Sequence, residues 1–541
     1  KNSIETYTVV PFEDVHLHYN ESYGAMLGGR IGFVRLLATI GVFILLLACI
    51  NFMNLSTARS EKRAKEVGIR KTVGSLRSQL IMQFLAESIL VTFLAFAVSL
   101  ILTTCSLPWF SDLAGKPMIL PWTSPLFWTV SLAFTLLTGL LAGSYPAFYL
   151  SAFRPVKVLK GTFKAGRNAI LPRKFLVIAQ FAISLSLIIG TIVVFRQIQF
   201  AKDRPVGYDR SGLITVKINT DSLDNHYEAV RTALINTGAV ANVTTASQTL
   251  TEWGQNNFLE WAGMPEEKKN LSFRDVWVNA DFGPTIGWTV VQGRDFSRDF
   301  ATDSTAAIVN EEGARILAFK NPIGQTVKHW GKAYHIVGVV KNMLTNDAYS
   351  PVQPAIFLGE GGHYTYIIRI KPGTPVHTAL AAMEPVFKKF NPASPFIYHF
   401  NDKEFEKKFL TETRIGNLAT VFSGLAILIS CLGLFGLASF VAEQRTKEIG
   451  VRKVLGARVV NLWALLSGDF LKLIVLSMAI AMPFIAWTMH QWLQGYALHT
   501  TLSTWIFVVA GAGMLLVTLL TVSYQALKAA LKNPIRSLRT E

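Results

Sequence analysis

The chain has 541 residues, 52 Lys and Arg against 35 Asp and Glu, and a formal net charge of +17. Half of it (51%) is hydrophobic, 16% is charged, and the mean hydropathy is +0.35. The low charged fraction excludes a disordered polyelectrolyte, and the hydropathy is too high for an ordinary soluble enzyme.

A bilayer core about 30 Å thick needs roughly 20 mainly apolar helical residues to cross it. Seven segments meet that requirement, at about 33–57, 80–107, 124–150, 172–198, 415–441, 461–490 and 501–526. Leu36 to Ile50 and Ala419 to Ala442 hold no charge at all. Between the fourth and fifth spans, residues 202–413 are polar, with short β-branched runs at Leu213–Ile218, His335–Val340 and Tyr366–Ile370. Helical patterns at Asp221–Asn236 and Val376–Phe390 alternate with them, and turn residues separate the segments. The expected fold class is therefore membrane α-helical, with seven spans, plus an α+β extracytoplasmic domain large enough for its own core.

Orientation follows from Lys and Arg in the short loops. Loop 58–79 carries seven basic residues against two acids, loop 152–174 seven against none, loop 442–460 five against two, and the tail 526–541 four against one. Loops 108–123 and 491–500 hold almost no charge. The four basic segments are thus cytoplasmic, and the large domain and the N-terminus lie outside. These segments hold 23 basic and 5 acidic residues, and the remainder of the chain is nearly neutral. The positive charge reports membrane topology and does not argue for nucleic acid as a partner. With an outside N-terminus and an odd number of spans, we expect the sequence to be the C-terminal portion of a longer protein that has a further span.

The chain contains an internal repeat. Residues 61–75, EKRAKEVGIRKTVGS, align without gaps with 443–457, EQRTKEIGVRKVLGA, and eight of fifteen positions are identical. Ser144-Tyr-Pro-Ala147 matches Ser523-Tyr-Gln-Ala526, and 154–160 matches 533–539. In both copies acids precede bases at i,i+4: Glu61–Lys65 and Glu66–Arg70, then Glu443–Lys447 and Glu448–Arg452. Gly68 and Gly74, with Gly450 and Gly456 in the second copy, allow close approach of a partner or a helix break. Lys71 and Lys453 complete the matched set. A basic amphipathic helix also suits anionic lipid headgroups. Lipid needs only positive charge, so two copies that keep their acids and glycines fit a shaped protein partner docking twice.

These segments resemble the FtsX-like, MacB-type permease subunits of ABC transporters. The loop E-x-[KR]-x-K-E-[IV]-G-[IV]-R-K-x-x-G-[AS] looks like that family's cytoplasmic coupling segment, with Gln444 departing from Lys62 of the first copy. Residues 280–298, 306–311, 321–325 and 336–342 follow the pattern of the family's periplasmic core domain in order, and 10–18 resemble the end of a first such domain. The resemblance implies the end of one periplasmic domain at 1–30 and a membrane repeat at 31–160 with its coupling helix at 59–77. A linker and span at 161–201 would lead to a second periplasmic core domain at 202–413. A second repeat would occupy 414–541, with its coupling helix at 443–458. It further implies a multi-pass bacterial inner-membrane protein coupled to a cytoplasmic ABC ATPase in two copies, with a periplasmic or outer-membrane partner. Its cargo would be an antimicrobial peptide, lipoprotein, toxin or small amphiphile. ATP and Mg would sit on that ATPase, and this chain would bind no cofactor. The alternative is a regulatory FtsX-like protein that activates a periplasmic partner without moving cargo.

No G-x-x-x-x-G-K-[ST], H-E-x-x-H or G-x-S-x-G motif occurs, so no catalytic or metal residues are expected. His16 and His18, two apart, read as structural. Glu87, Asp469, Lys472 and His490 lie near span ends, which disfavours a mid-membrane ion pathway. Cys49, Cys105 and Cys431 fall in spans and read as small packing residues. Gly424, Gly433 and Gly436 suggest close helix packing. Trp253, Trp261, Trp277 and Trp288 read as core of the outer domain.

Overall fold

A computed structural model describes residues 31–151, 167–220, 223, 225–254, 256–345, 348–359 and 364–531. The expected readings at 1–30, and most of those on loop 152–174 and the C-terminal tail, lie outside the described residues. The chain divides into two units. One comprises residues up to Gln197, Glu412–Gly495 and the segment from Thr500, and the other comprises Ile198–Thr411 and Tyr496–His499.

All seven expected spans are helices long and apolar enough to cross a membrane. In the first unit these are α1 (Ile31–Thr72), α2 (Arg77–Ala114), α3 (Pro125–Ser151), α4 (Arg167–Lys202), α10 (Leu410–Gln444), α12 (Val459–Gln494) and α13 (Thr504–Leu531), with the short α11 (Thr446–Val454) between α10 and α12. Apolar clusters hold them together, for instance Val177, Phe181, Leu434, Phe470 and Ile474.

Helices α4 and α10, the spans on either side of the second unit in sequence, are joined differently. Ser184 and Ser430 share a hydroxyl hydrogen bond of 2.7 Å, and Thr191 and Ser423 share one of 2.6 Å. Seven residues separate the two positions on each helix, so the pairs form rungs on one seam. Ser423 also donates to the Leu187 carbonyl at 3.1 Å, and Gln180 Nε2 to the Ser430 carbonyl at 3.4 Å. At the same end Asn54 of α1 donates to Gln180 Oε1 at 3.5 Å. A Cβ at Gly433 would run into Asn51, and one at Gly436 into Leu55, so helices approach closely at both glycines, as expected. Gly424 departs from that expectation, with open space around it. Cys49 is buried, but Cys105 faces outward from the bundle and is not a packing residue.

The described residues of the second unit carry eleven strands. Strands β1 (Leu213–Lys217), β2 (Val240–Ala246), β10 (Thr365–Ile370) and β11 (His399–Phe400) run in the order β11-β1-β10-β2, all antiparallel. Helix α5 (Tyr227–Asn236) connects β1 to β2, and α8 (Val376–Phe390) connects β10 to β11. This is the split βαβ arrangement of ferredoxin-like folds. Both helices cover one face of the sheet through Val230, Leu234, Ala379, Met383 and Phe387 against Val216, Val243, Tyr366 and Ile368.

Everything between β2 and β10 is an insertion built on a barrel. Strands β3 (Asn256–Trp261), β4 (Ser272–Val278), β6 (Ala306–Asn310), β7 (Thr326–His329), β8 (Lys332–Val340) and β9 (Ala355–Gly359) pair in the order β4-β3-β7-β8-β6-β9. A parallel β9–β4 pairing, Arg274 with Ala355 through Val278 with Gly359, closes the ring. Strand β5 (Val290–Gly293) pairs with β8 off that path. The short helices α6 (Phe282–Ile286), α7 (Glu311–Leu317) and α9 (Asn401–Lys407) lie in connections of the unit. All six ring strands supply the barrel interior, including Leu259, Phe273, Val309, Val327, Tyr334 and Ile356. Trp253, Trp261 and Trp288 are buried and Trp277 packs against this interior, so all four tryptophans are core. Gly338 and Gly359 lack a side chain for a local reason. A Cβ would strike the Arg294 carbonyl at the first and the Asp303 carbonyl at the second.

Candidate functional site: the paired coupling segments

The two repeated basic segments fold back onto their own membrane helices in the same way. In the first, Val67 is buried against Leu80, Phe84, Ala147 and Leu150. In the second, Ile449 is buried against Leu462, Leu466 and Ala526. Val67, Leu80 and Phe84 correspond one to one with Ile449, Leu462 and Leu466 under the repeat, and Ala147 with Ala526.

The helix ends also match. The Gly74 amide donates to the Lys71 carbonyl and that of Ser75 to Arg70, at 3.2 and 3.0 Å. Gly456 donates to Lys453 and Ala457 to Arg452, at 3.1 and 2.9 Å. Both glycines have positive φ, the left-handed cap that satisfies the last carbonyls of a helix. The beginnings differ. Helix α1 runs unbroken through its coupling sequence to Thr72, whereas Arg445 separates α10 from α11.

The predicted pairs Glu66–Arg70 and Glu448–Arg452 form, at 2.7 and 2.8 Å. The side chains of Glu61, Lys65 and Lys447 lie outside the described residues. Gly68 and Gly450 are buried. Lys71 donates to the Ser151 carbonyl at 2.6 Å, tying the segment to the end of α3. Burial, together with the Arg77 charge, pulls its ammonium pKa below the ordinary lysine value. Arg70 also donates to Gln83 at 2.8 Å, and Arg445 pairs with Asp469 at 2.9 Å.

Val67, Ile69 and Val73 give the segment the apolar side expected from the sequence, and the structure divides it, with Val67 buried and Ile69 and Val73 exposed. Ile69 and Val73 stand open in the first copy, and Val451 and Leu455, their repeat equivalents, in the second. Spacing at i,i+4 puts each doublet on one face.

Family comparison agrees with this layout. The profile described as FtsX-like permease C-terminal matches residues 38–155 and again 420–534, so both copies are recognised separately. The MacB-like periplasmic core domain profile matches residues 175–386. The chain belongs to the FtsX-like, MacB-type ABC transporter permeases. This permease is 29% identical over 269 residues to the macrolide export ATP-binding/permease protein MacB of Sodalis glossinidius, covering 47% of this chain and 41% of that one. It is 26% identical over 190 residues to MacB of Aggregatibacter actinomycetemcomitans, covering 32% and 29%. The permease therefore spans well under half the length of these relatives. Among solved structures, the periplasmic region of MacB from Actinobacillus actinomycetemcomitans aligns with a TM-score of 0.28 and 14% identity, over 38% of this chain and 96% of that one. The permease is a multi-pass inner-membrane protein whose β-rich unit is a MacB-type periplasmic domain.

Proposed function

We propose that the permease couples ATP hydrolysis on a separate cytoplasmic ATPase to motion of its periplasmic domain, for export or extraction of a substrate at the outer face of the inner membrane. The observation that carries this reading is the duplicated coupling segment. Each copy has one buried anchor, one left-handed glycine cap and one exposed apolar doublet. A surface presented twice in the same form suits a partner that offers the same groove twice, hence two ATPase copies. Ile69 with Val73 and Val451 with Leu455 supply the apolar contact. Glu66, Arg70, Glu448 and Arg452 rim it with ion pairs, and Lys71 and Lys453 add positive charge. ATP and Mg are held by the ATPase, and the permease holds no cofactor. A periplasmic or outer-membrane partner would receive the motion.

The test is the double variant Val73→Asp, Leu455→Asp, purified from native membranes by a tag on the permease. ATPase activity co-purifying per permease chain is expected to fall about tenfold or more, as for loss of buried contacts at an interface centre, with membrane insertion unchanged. Undiminished co-purifying activity in a correctly inserted variant would overturn the docking assignment.

A further inference from the structure

One end of the periplasmic barrel is polar inside. His329 of β7 is 1% exposed and Asp275 of β4 is fully buried, and His329 Nε2 lies 3.6 Å from Asp275 Oδ2. That separation is too long for a hydrogen bond. Both ring nitrogens and Asp275 Oδ2 are without a partner. The other carboxylate oxygen accepts from Asn257 Nδ2 at 2.9 Å. Strand alternation places Phe273, Asp275 and Trp277 on one face of β4, and Val327 and His329 on one face of β7. The pair therefore belongs to the barrel interior.

Three aromatic rings surround the imidazole. Trp277 meets it edge-on at 5.7 Å, Tyr334 at 6.4 Å, and Trp330 stacks on it at 4.9 Å. Trp330 is also the outermost residue of the group, 74% exposed. It sits in the turn joining β7 to β8 with φ +49°, a conformation unfavourable for a bulky side chain. Its indole N–H donates to Asn257 Oδ1 at 3.2 Å. The exposed turn is thus linked to the buried pair twice, through Asn257 to the carboxylate and by stacking to the imidazole.

Other charged groups on the surrounding strands are engaged elsewhere. Arg274 of β4 donates to Gln353 and to the Trp253 carbonyl. Glu260 of β3 lies opposite Lys328 of β7, both exposed. Lys332 of β8, the register partner of His329, lies over the Tyr334 ring at 5.3 Å, and β9 has no titratable residue. Burial pushes the Asp275 pKa up, but His329 and Asn257 outweigh it and hold the carboxyl below its ordinary value. Among the described residues His329 is the buried ionisable side chain that faces this carboxylate.

We propose that His329 and Asp275 form a proton-sensitive switch that stiffens the Trp330 turn of the periplasmic barrel when the pH falls. Protonation gives the imidazole a second N–H and a positive charge. The ring closes onto Asp275 Oδ2 as a charge-assisted hydrogen bond, and the stacked Trp330 face favours the cation. In the neutral state the carboxylate keeps Asn257 alone, and the turn is held by one indole hydrogen bond and an uncharged stack. The switch stands apart from the coupling segments, so it holds whether or not an ATPase docks there.

The experiment uses the full chain in lipid nanodiscs. Trp330 emission, taken as wild type minus Trp330→Phe, is expected to drop about twofold between roughly pH 7.5 and pH 5.5, because a stacked imidazolium quenches indole emission where a neutral ring does not. Amide hydrogen exchange across 326–334, corrected for its intrinsic pH dependence, should slow about tenfold over the same interval. Both changes should vanish in His329→Gln and in Asp275→Asn. A pH-independent signal in the wild-type chain overturns the proposal, as does a transition that survives in His329→Gln. If one of the two variants misfolds the other decides, because loss of either partner removes the charge-assisted bond, and a transition that survives in it overturns the proposal.

Discussion

Gly74 and Gly456, 382 positions apart, hold φ angles of +102° and +88° at the same step beyond their coupling helices. Neither has an atom within 4 Å of where a Cβ would sit. Backbone conformation, and not crowding, is what requires glycine at both positions.

Replacing either glycine with Ala should therefore cost about 1 kcal/mol, the penalty of forcing a side chain into the left-handed region. The double variant should cost about twice that, because the sites share no partner. Asn should be tolerated better than Ala at both. Thermal unfolding of the purified chain in detergent checks the order Gly, Asn, Ala, and equal losses for Asn and Ala would contradict the conformational account.

The exposed pairs Glu66–Arg70 and Glu448–Arg452 should contribute little to stability. Exposed i,i+4 pairs are worth about 0.3–0.5 kcal/mol. The double variant Glu66→Ala, Glu448→Ala should unfold within about 1 kcal/mol of wild type and yet lose ATPase co-purification. A large stability loss with the partner retained would show that the acids act within the fold.

The hydroxyl seam between α4 and α10 lends itself to a double-mutant cycle on Ser184→Ala and Ser430→Ala. Interhelical hydrogen bonds in membranes average about 0.6 kcal/mol and reach about 1.7, and a coupling energy in that range is expected from reversible unfolding in mixed micelles. The same cycle on Ser184 and Ser423, which belong to different rungs, should give nearly zero.

In the periplasmic unit, Arg294 grips Asp303 with both guanidinium nitrogens, at 2.6 and 2.9 Å, and the Ser297 amide adds a bond of 2.9 Å. Burial pushes the Asp303 carboxyl up, but these partners prevail and hold it below its ordinary value. A depressed carboxyl pKa stabilises the fold above its unfolded value, near pH 3.9, and that contribution disappears as pH falls through the lower folded value. Asp303→Asn should cost about 1.5–3 kcal/mol at neutral pH, typical of a hydrogen bond to a charged group. It should also flatten the loss of stability below about pH 4, read by tryptophan fluorescence during acid titration.

Membrane architecture was legible because a soluble fold rarely keeps a helix apolar on every face over a full span length, and the duplicated basic segment was legible from identity alone. Val376–Phe390 was recovered to the residue, while the helix expected from Asp221 is assigned over Tyr227–Asn236. Closure of the barrel was not legible. It depends on β4 pairing with β9 some 80 residues later, and a strand's alternation is the same whether its sheet is open or closed. Asp275 and His329 likewise looked like ordinary polar positions, since only the closed ring brings β4 and β7 around one interior. Within the repeated basic segments, residue spacing gave Glu66–Arg70 and Glu448–Arg452 correctly. The tie from Lys71 to the Ser151 carbonyl could not be read, because a main-chain acceptor 80 residues away leaves no mark on side-chain pattern.

The barrel's insertion between β2 and β10 has a last consequence. Ala246, where β2 ends, is the direct cross-strand neighbour of Thr365, where β10 begins. The chain leaves the four-stranded sheet and re-enters it at a single rung, so the entire barrel occupies the place of a hairpin turn. A turn of two residues such as Asn-Gly spans that gap in an ordinary hairpin. The same Ala246 also pairs with Val278 of β4, so one residue joins both edges of the sheet's gap to the barrel that fills it.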